Sequence, residues 1–302
     1  MKIENFKGEL FSNEPMSRHT SFGIGGPADI LAYPVDREDL KALLQTIKDR
    51  KLPYYLLGSG TNLLVRDGGV RGVVISLRRL NAVKTEREYR SIGGTYVVLS
   101  AEAGAPLTKL LSAAVEEGLT GLEFAAGIPG TVGGAVCMNA GTALGEIGGV
   151  IESVTLVSPE GDMVARTREE MGFRYRTSSV PEGHLVLDAR VALRRDEKEK
   201  VKVRVTELLM TRMERQPQGF RNAGSIFKNP HEESAGKLIE SAGLKGRTVG
   251  GAKVSDKHAN FIVTSGDAKA ADVLALMDIV KQTVLDVHGV RLEPEIKILG
   301  ED

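Results

Sequence analysis

The stretch Phe124-Ala125-Ala126-Gly127-Ile128-Pro129-Gly130-Thr131-Val132-Gly133-Gly134 sets four glycines around a proline and runs into an apolar segment that reads as a helix from Thr131 to Met138. Glycine lets the backbone approach a ligand closely and lets successive amides point inward, which makes a nest for phosphate oxygens. With Thr131 opening the helix, the free amides of its first turn are a second expected anion-binding element. Two more glycine clusters, Phe22-Gly23-Ile24-Gly25-Gly26-Pro27 and Gly58-Ser59-Gly60-Thr61-Asn62, also adjoin apolar runs. Each alone reads equally well as a tight turn; three together point to a nucleotide or dinucleotide. Two familiar nucleotide sites are excluded. The dinucleotide fingerprint Gly-x-Gly-x-x-Gly fails because Leu63 stands where the last glycine should be, and the phosphate loop Gly-Lys-Ser/Thr fails because Gly236-Lys237 is followed by Leu238.

Composition narrows the field further. The 302 residues carry 40 Lys and Arg against 40 Asp and Glu, so there is no general attraction to nucleic acid or to an anionic membrane surface. The single cysteine, Cys137, excludes an intramolecular disulfide and a cysteine-rich metal site, and reads as a small buried hydrophobe. The histidines show no metal-ligand spacing, so no metal is expected. No apolar run reaches the roughly 20 residues that span a bilayer, and the N-terminus lacks a long apolar segment, which makes the cytoplasm the expected compartment. The 35 glycines exceed the roughly 7% of average proteins, and the loops above account for part of the excess.

Outward from the glycine loops the chain alternates helices and strands. Leu40, Leu43, Leu44 and Ile47 form one face of a helix that Pro53 ends, and Tyr54 to Leu57 and Val70 to Leu77 read as buried strands. From about Arg87 the chain is strand-rich, with runs at Tyr96 to Ala103, Val150 to Val157, Met163 to Arg166 and Leu185 to Leu193. A helix with Pro106 in its first turn interrupts them. The charged run Asp196 to Val205 reads as a solvated connector leading into a helix with Leu208, Leu209 and Met213. Two amphipathic helices follow, from Ala235 to Ala242 and from Ala268 to Val287, around a strand from Ala259 to Thr264. A last strand, Val290 to Leu299, contains Pro294 and so belongs at an edge or a bulge.

The loops Gly58-Ser59-Gly60-Thr61-Asn62 and Gly127 to Gly134 resemble the FAD-binding loops of the para-cresol methylhydroxylase-like flavoproteins. Further blocks narrow the likeness: Arg18-His19-Thr20-Ser21-Phe22-Gly23-Ile24-Gly25-Gly26, Tyr175-Arg176-Thr177-Ser178, Asn222-Ala223-Gly224-Ser225-Ile226-Phe227-Lys228-Asn229-Pro230 and Leu292-Glu293-Pro294-Glu295-Ile296. Together, across essentially the whole chain, they resemble the UDP-N-acetylenolpyruvoylglucosamine reductase family, in its shorter type without an extra substrate-covering loop. The resemblance implies an α+β fold with a two-part FAD-binding region and a C-terminal α+β substrate-binding domain. The corresponding division is 1–84 and 85–200 for the flavin subdomains, 201–288 for the UDP-sugar domain, and 289–302 for a strand returning to the flavin region. It also implies noncovalent FAD, with His19 not attached to it, NADPH as hydride donor, and UDP-N-acetylglucosamine enolpyruvate as substrate in peptidoglycan precursor synthesis.

The same resemblance gives residues their roles. Gly58, Ser59, Gly60, Thr61, Asn62, Ala126, Gly127, Pro129, Gly130, Thr131, Gly133 and Gly134 match cofactor-binding positions. Lys228, Asn229 and Asn260 are candidate substrate contacts. Ser225 matches the proton donor, although a serine beside glycine and asparagine more often makes a local turn hydrogen bond. Arg176 matches the carboxylate-binding arginine, a planar fork suited to growing negative charge; on a strand, Arg174 would share its face and its role. Glu295 matches the catalytic glutamate, with Glu293 its near neighbour. Two other classes remain open at this point: a flavin oxidase of a small alcohol or hydroxy acid, and a non-enzymatic UDP-sugar-binding protein.

Overall fold

The computed structural model describes residues 3, 6–230 and 233–302. They form two compact units that interleave along the chain. The first takes residues up to Leu10, Leu31–Ser59 and Val73–Arg212; the second takes Phe11–Ile30, Gly60–Gly72 and Met213–Asp302. The six α-helices are Arg37–Asp49 (α1), Leu107–Glu116 (α2), Val132–Cys137 (α3), Lys198–Arg215 (α4), Ala235–Ser241 (α5) and Ala270–His288 (α6). The charged run expected to be a connector is helical from Lys198 onward.

The first unit is built on an antiparallel sheet in the order Met163–Thr167, Ile151–Val157, Leu185–Arg195, Gly94–Glu102, Val83–Ser91, with Leu119–Thr120 paired to the end of Leu185–Arg195. Its central strand buries Leu185, Val186, Leu187, Ala189, Val191 and Leu193, and α3 packs against it. Beside this sheet in sequence lies a parallel pair, Tyr54–Leu57 with Val73–Ser76. Asp36 caps α1 by accepting the Asp39 amide at 2.8 Å, and the helix buries Leu40, Leu43, Leu44 and Ile47. Burial of each such side chain stabilises the fold by about 1.5–3 kcal/mol, so this one stripe is enough to hold the helix down.

In the second unit, α6 covers a three-stranded antiparallel sheet made of Thr248–Val249, Ala252–Val254 and Ile262–Thr264. The core gathers Val273, Leu276, Met277, Val280 and Val284 of α6 with Phe22, Leu64, Ile226 and Phe227. The chain closes with Lys297–Leu299, parallel to Leu63–Val65. This final strand is shorter than the sequence pattern implies, because residues 293–295 bond instead to residues 226–228. Among the described residues no helix is long and apolar enough to cross a membrane.

Asp67 ties this unit together from outside its sheet. Its carboxylate accepts the Ala270 amide at 2.9 Å and the Ala271 amide at 3.0 Å, satisfying two orphan donors at the start of α6. Asp67→Ala is expected to lower stability by about 1–2 kcal/mol, read by denaturant unfolding; an unchanged midpoint would contradict the cap.

Candidate active site

In the first unit two of the glycine clusters meet. A side-chain carbon added at Gly58 would stand 2.9 Å from the Thr131 hydroxyl, so the approach of the two loops requires glycine there. The amides of Ser59, Gly127, Gly130 and Thr131 donate to no group among the described residues. Such a set of inward-available N–H groups suits a diphosphate. The expected contribution from the start of α3 is absent: Val132 N donates to Ala105 O at 2.8 Å, Gly133 N to Ala103 O at 2.9 Å and Gly134 N to the Thr131 hydroxyl at 3.2 Å. Two backbone carbonyls and the Thr131 hydroxyl take these first-turn donors, and Gly133 and Gly134 thus serve the packing and capping of α3. The amides left unbonded among the described residues lie in the loop before the helix.

Arg212 of α4 lies over this loop. Its stem packs on Gly127 and its Nη1 donates to Ala126 O at 3.0 Å. Burial, and then the neighbouring positive charge of Arg176, push its pKa down. Two like charges held this way favour an anion between or beside them. Arg176 itself stands at the tip of a tight hairpin: Arg174 and Thr177 exchange backbone hydrogen bonds at 3.0 and 3.1 Å, with Tyr175 and Arg176 between. Arg176 has φ +56°, and its guanidinium sits 5.0 Å from the centroid of the Tyr175 ring. The strand geometry that would have given Arg174 the same face is therefore not present; Arg174 is exposed and Arg176 half-buried. Fully buried Asn139 anchors the turn, donating to Arg174 O at 2.9 Å while its Oδ1 accepts the Gly148 amide at 3.0 Å.

In the second unit the segment around Ser225 is held on both edges. Ile226 N donates to Asn260 O at 2.9 Å on one side, and Glu295 N donates to Ile226 O at 2.8 Å on the other. Bridges at Ser225–Phe261 and Phe227–Pro294 continue the same pattern. The local turn hydrogen bond that Ser225 was expected to compete for is made by Asn222, whose Oδ1 accepts the Gly224 amide at 3.0 Å. The half-buried Ser225 hydroxyl has no partner among the described residues. Glu295 is half-buried and its carbonyl accepts from Asn62 Nδ2 at 3.2 Å. Glu293, by contrast, is exposed and ion-paired with Lys228 at 3.2 Å. A pair this exposed is worth at most about 1 kcal/mol, so Lys228 can exchange it for a phosphate.

The other candidates divide by what they already hold. Asn229 Oδ1 accepts the Ala235 amide at 3.0 Å, at the first residue of α5. Asn260 is 3% exposed and spends its carboxamide on Phe227, accepting that residue's amide at 3.0 Å and donating to its carbonyl at 2.8 Å. It is thus a strut of the strand. Gly60 has φ +66°, and a side chain there would overlap the His19 carbonyl, so this glycine is demanded by the turn. His19 itself is paired through Nε2 with Glu14 at 2.9 Å. A cavity of about 460 Å³ bordered by Phe22, Gly23, Phe220, Arg221 and Thr264 includes none of the candidate catalytic residues.

Arg212, Asn139 and Asn222 are the site residues that sequence reasoning missed. Asn222 was within a quoted motif, and an asparagine two residues before a glycine is a turn signal. Arg212 looked like one more charge on a helix, and Asn139 carried no signal at all.

The arrangement agrees with what the chain is similar to. Residues 28–166 match the FAD binding domain family, and residues 216–299 match the C-terminal domain family of UDP-N-acetylenolpyruvoylglucosamine reductase. The UDP-N-acetylenolpyruvoylglucosamine reductase of Caldanaerobacter subterraneus subsp. tengcongensis is 46% identical over 296 residues, covering 98% of this chain and 95% of the relative. That of Clostridium botulinum strain Okra is 43% identical over 305 residues, covering 100% and 97%. The crystal structure of the Thermus caldophilus enzyme superposes with a TM-score of 0.80 at 37% identity, covering 97% of this chain and 99% of that one. With identity of this order spread over both units and the whole length, the chain belongs to the UDP-N-acetylenolpyruvoylglucosamine reductase family.

Proposed function

We propose that this flavoenzyme reduces the enolpyruvyl ether of UDP-N-acetylglucosamine enolpyruvate to UDP-N-acetylmuramate, with Ser225 as proton donor, Arg176 binding the substrate carboxylate and Glu295 assisting at the same step. This reaction belongs to peptidoglycan precursor synthesis, and we assign it to the cytoplasm. When bound, FAD would supply the redox chemistry, hydride transfer from NADPH to the alkene carbon distal to the ether. The residues that suit its diphosphate are Gly58, Ser59, Gly127, Gly130 and Thr131, whose loops leave amides unbonded and exclude side chains at the contact. Gly60, Thr61 and Asn62 continue the first of these loops.

Reduction of the alkene leaves an electron pair on the carbon beside the carboxylate, delocalised into it as an enolate. Arg176 offsets this charge with a planar fork, and Arg212 adds a second positive charge in its vicinity. Ser225 then donates its hydroxyl proton to the carbon and recovers one from solvent. A serine is a weak acid, so the step relies on a strongly basic acceptor and a fixed approach. Glu295, fixed through its backbone to Ile226, orients that exchange. Lys228 meets the substrate diphosphate, with Asn229 beside it in the chain.

The observation that carries this reading is the Ser225 hydroxyl, left without a partner among the described residues on a segment bonded along both edges. The test is anaerobic: NADPH is expected to bleach the yellow protein, and UDP-N-acetylglucosamine enolpyruvate to restore its colour. Bleaching without recovery would sink the assigned reaction.

A further inference from the structure

We infer that Asn260 is a positioning residue for protonation: its carboxamide fixes the backbone at Phe227 and thereby sets where the Ser225 hydroxyl points. The inference rests on the reading of Ser225 as proton donor. Three hydrogen bonds run from this one residue to residues 226 and 227: Asn260 O accepts Ile226 N at 2.9 Å, Oδ1 accepts Phe227 N at 3.0 Å, and Nδ2 donates to Phe227 O at 2.8 Å. Ser225 precedes this clamped pair and Lys228 follows it. The opposite edge of the same pair is bonded to Glu295, so a shift at Phe227 moves the acid and its carboxylate neighbour together. Asn260, Ile226 and Phe227 lie in the core, 3%, 1% and 1% exposed, where water cannot replace a lost bond.

Asn260 is braced in turn by His258, whose Nδ1 accepts the Asn260 amide at 3.2 Å. Burial pushes the His258 pKa down, which keeps Nδ1 available as an acceptor at neutral pH. The His258 ring leans on Phe261, the residue bridged to Ser225, with centroids 4.7 Å apart. The brace therefore reaches the Ser225 segment through both Asn260 and Phe261.

The decisive variant is Asn260→Asp in the FAD-loaded protein. Ionised, the new side chain still accepts from Phe227 N but repels Phe227 O; protonated, it regains a donor, and burial beside a carbonyl raises its pKa. At about pH 8 the saturating rate of flavin reoxidation by UDP-N-acetylglucosamine enolpyruvate is expected to fall about tenfold, with NADPH reduction and the half-saturating substrate concentration each within about threefold of the parent. The defect, as a ratio to the parent at each pH, is expected to shrink as pH falls. His258, which bonds residue 260 and faces Lys245 and Glu240, senses the new charge, so Asn260→Ala, which adds none, is read over the same pH range and is expected to show a defect that does not shrink as pH falls. Val273→Ala, a cavity in α6 of the same core, is the stability control and is expected to leave reoxidation within about twofold. If Asn260→Asp does not fold, Asn260→Ala is read the same way without the pH term.

An unchanged saturating rate, a rise in half-saturation alone, or equal loss in Val273→Ala overturns the positioning role. Failure of the parent to reoxidise strikes the assigned reaction instead.

Discussion

Ser225→Ala is expected to keep NADPH-driven flavin reduction within a factor of about two and to slow reoxidation by the enolpyruvyl substrate about 10²–10⁴-fold, the usual worth of one positioned acid. The asymmetry follows from the chemistry. Hydride transfer from NADPH moves no proton through Ser225, whereas protonation of the substrate carbon has no other donor in this proposal. The substitution is also structurally mild. The hydroxyl holds no hydrogen bond among the described residues, so its removal leaves no orphaned partner, and the neighbouring turn is made by Asn222. Stability should therefore stay within about 0.5 kcal/mol, as at sites away from packing or buried networks. Stopped-flow measurement of the two half-reactions decides the matter. Equal loss in both would deny Ser225 the acid role, and a large drop in stability would show that its hydroxyl supports the fold.

How much of this was legible in the sequence depends on how local the cause is. Helix α1 declared itself through Leu40, Leu43, Leu44 and Ile47 because its burial follows one helical stripe, and Asp36 supplied a cap at the expected end. The strand Val83–Ser91 was silent: it is exposed along almost its whole length, so neither alternation nor an apolar run marks it. Its pairing with Gly94–Glu102 comes from the partner strand, not from its own pattern. The glycine loops were legible as close backbone approaches, whereas the partners of the first amides of α3 were not. Ala103 and Ala105, nearly thirty residues upstream of that helix, take the amides of Gly133 and Val132. Arg212 shows the same limit, because its burial exists only where Gly127 lies beneath its stem. Ser225 was marked by a motif, but that its hydroxyl is uncommitted depends on Asn222 and could be seen only in the fold.

Arg176→Gly is expected to cost about 10³-fold in reoxidation of the flavin by substrate, comparable to the loss of a major charge-stabilising donor, while leaving the fold as stable as before. Arg176 has φ +56°, a conformation that disfavours any residue with a Cβ by roughly 1–2 kcal/mol and that glycine adopts freely. Glycine would relieve that strain, and its greater freedom in the unfolded chain, together with loss of the side chain's contacts, that over Tyr175 among them, would offset most of the gain. The net change in thermal midpoint is thus near zero or slightly upward. An arginine kept where glycine fits the backbone better is what a functional demand on the guanidinium produces, since the hairpin itself is closed by Arg174, Thr177 and Asn139 without it. Arg176→Lys separates charge from shape: it keeps the strain and the charge but loses the planar fork, and should recover only part of the rate. Removal of Arg176 should also raise the pKa of Arg212 towards its usual value, as a repelling neighbour is gone. A glycine variant that reoxidises at the parent rate would take the carboxylate away from Arg176, and one that unfolds early would show the side chain to be a structural support.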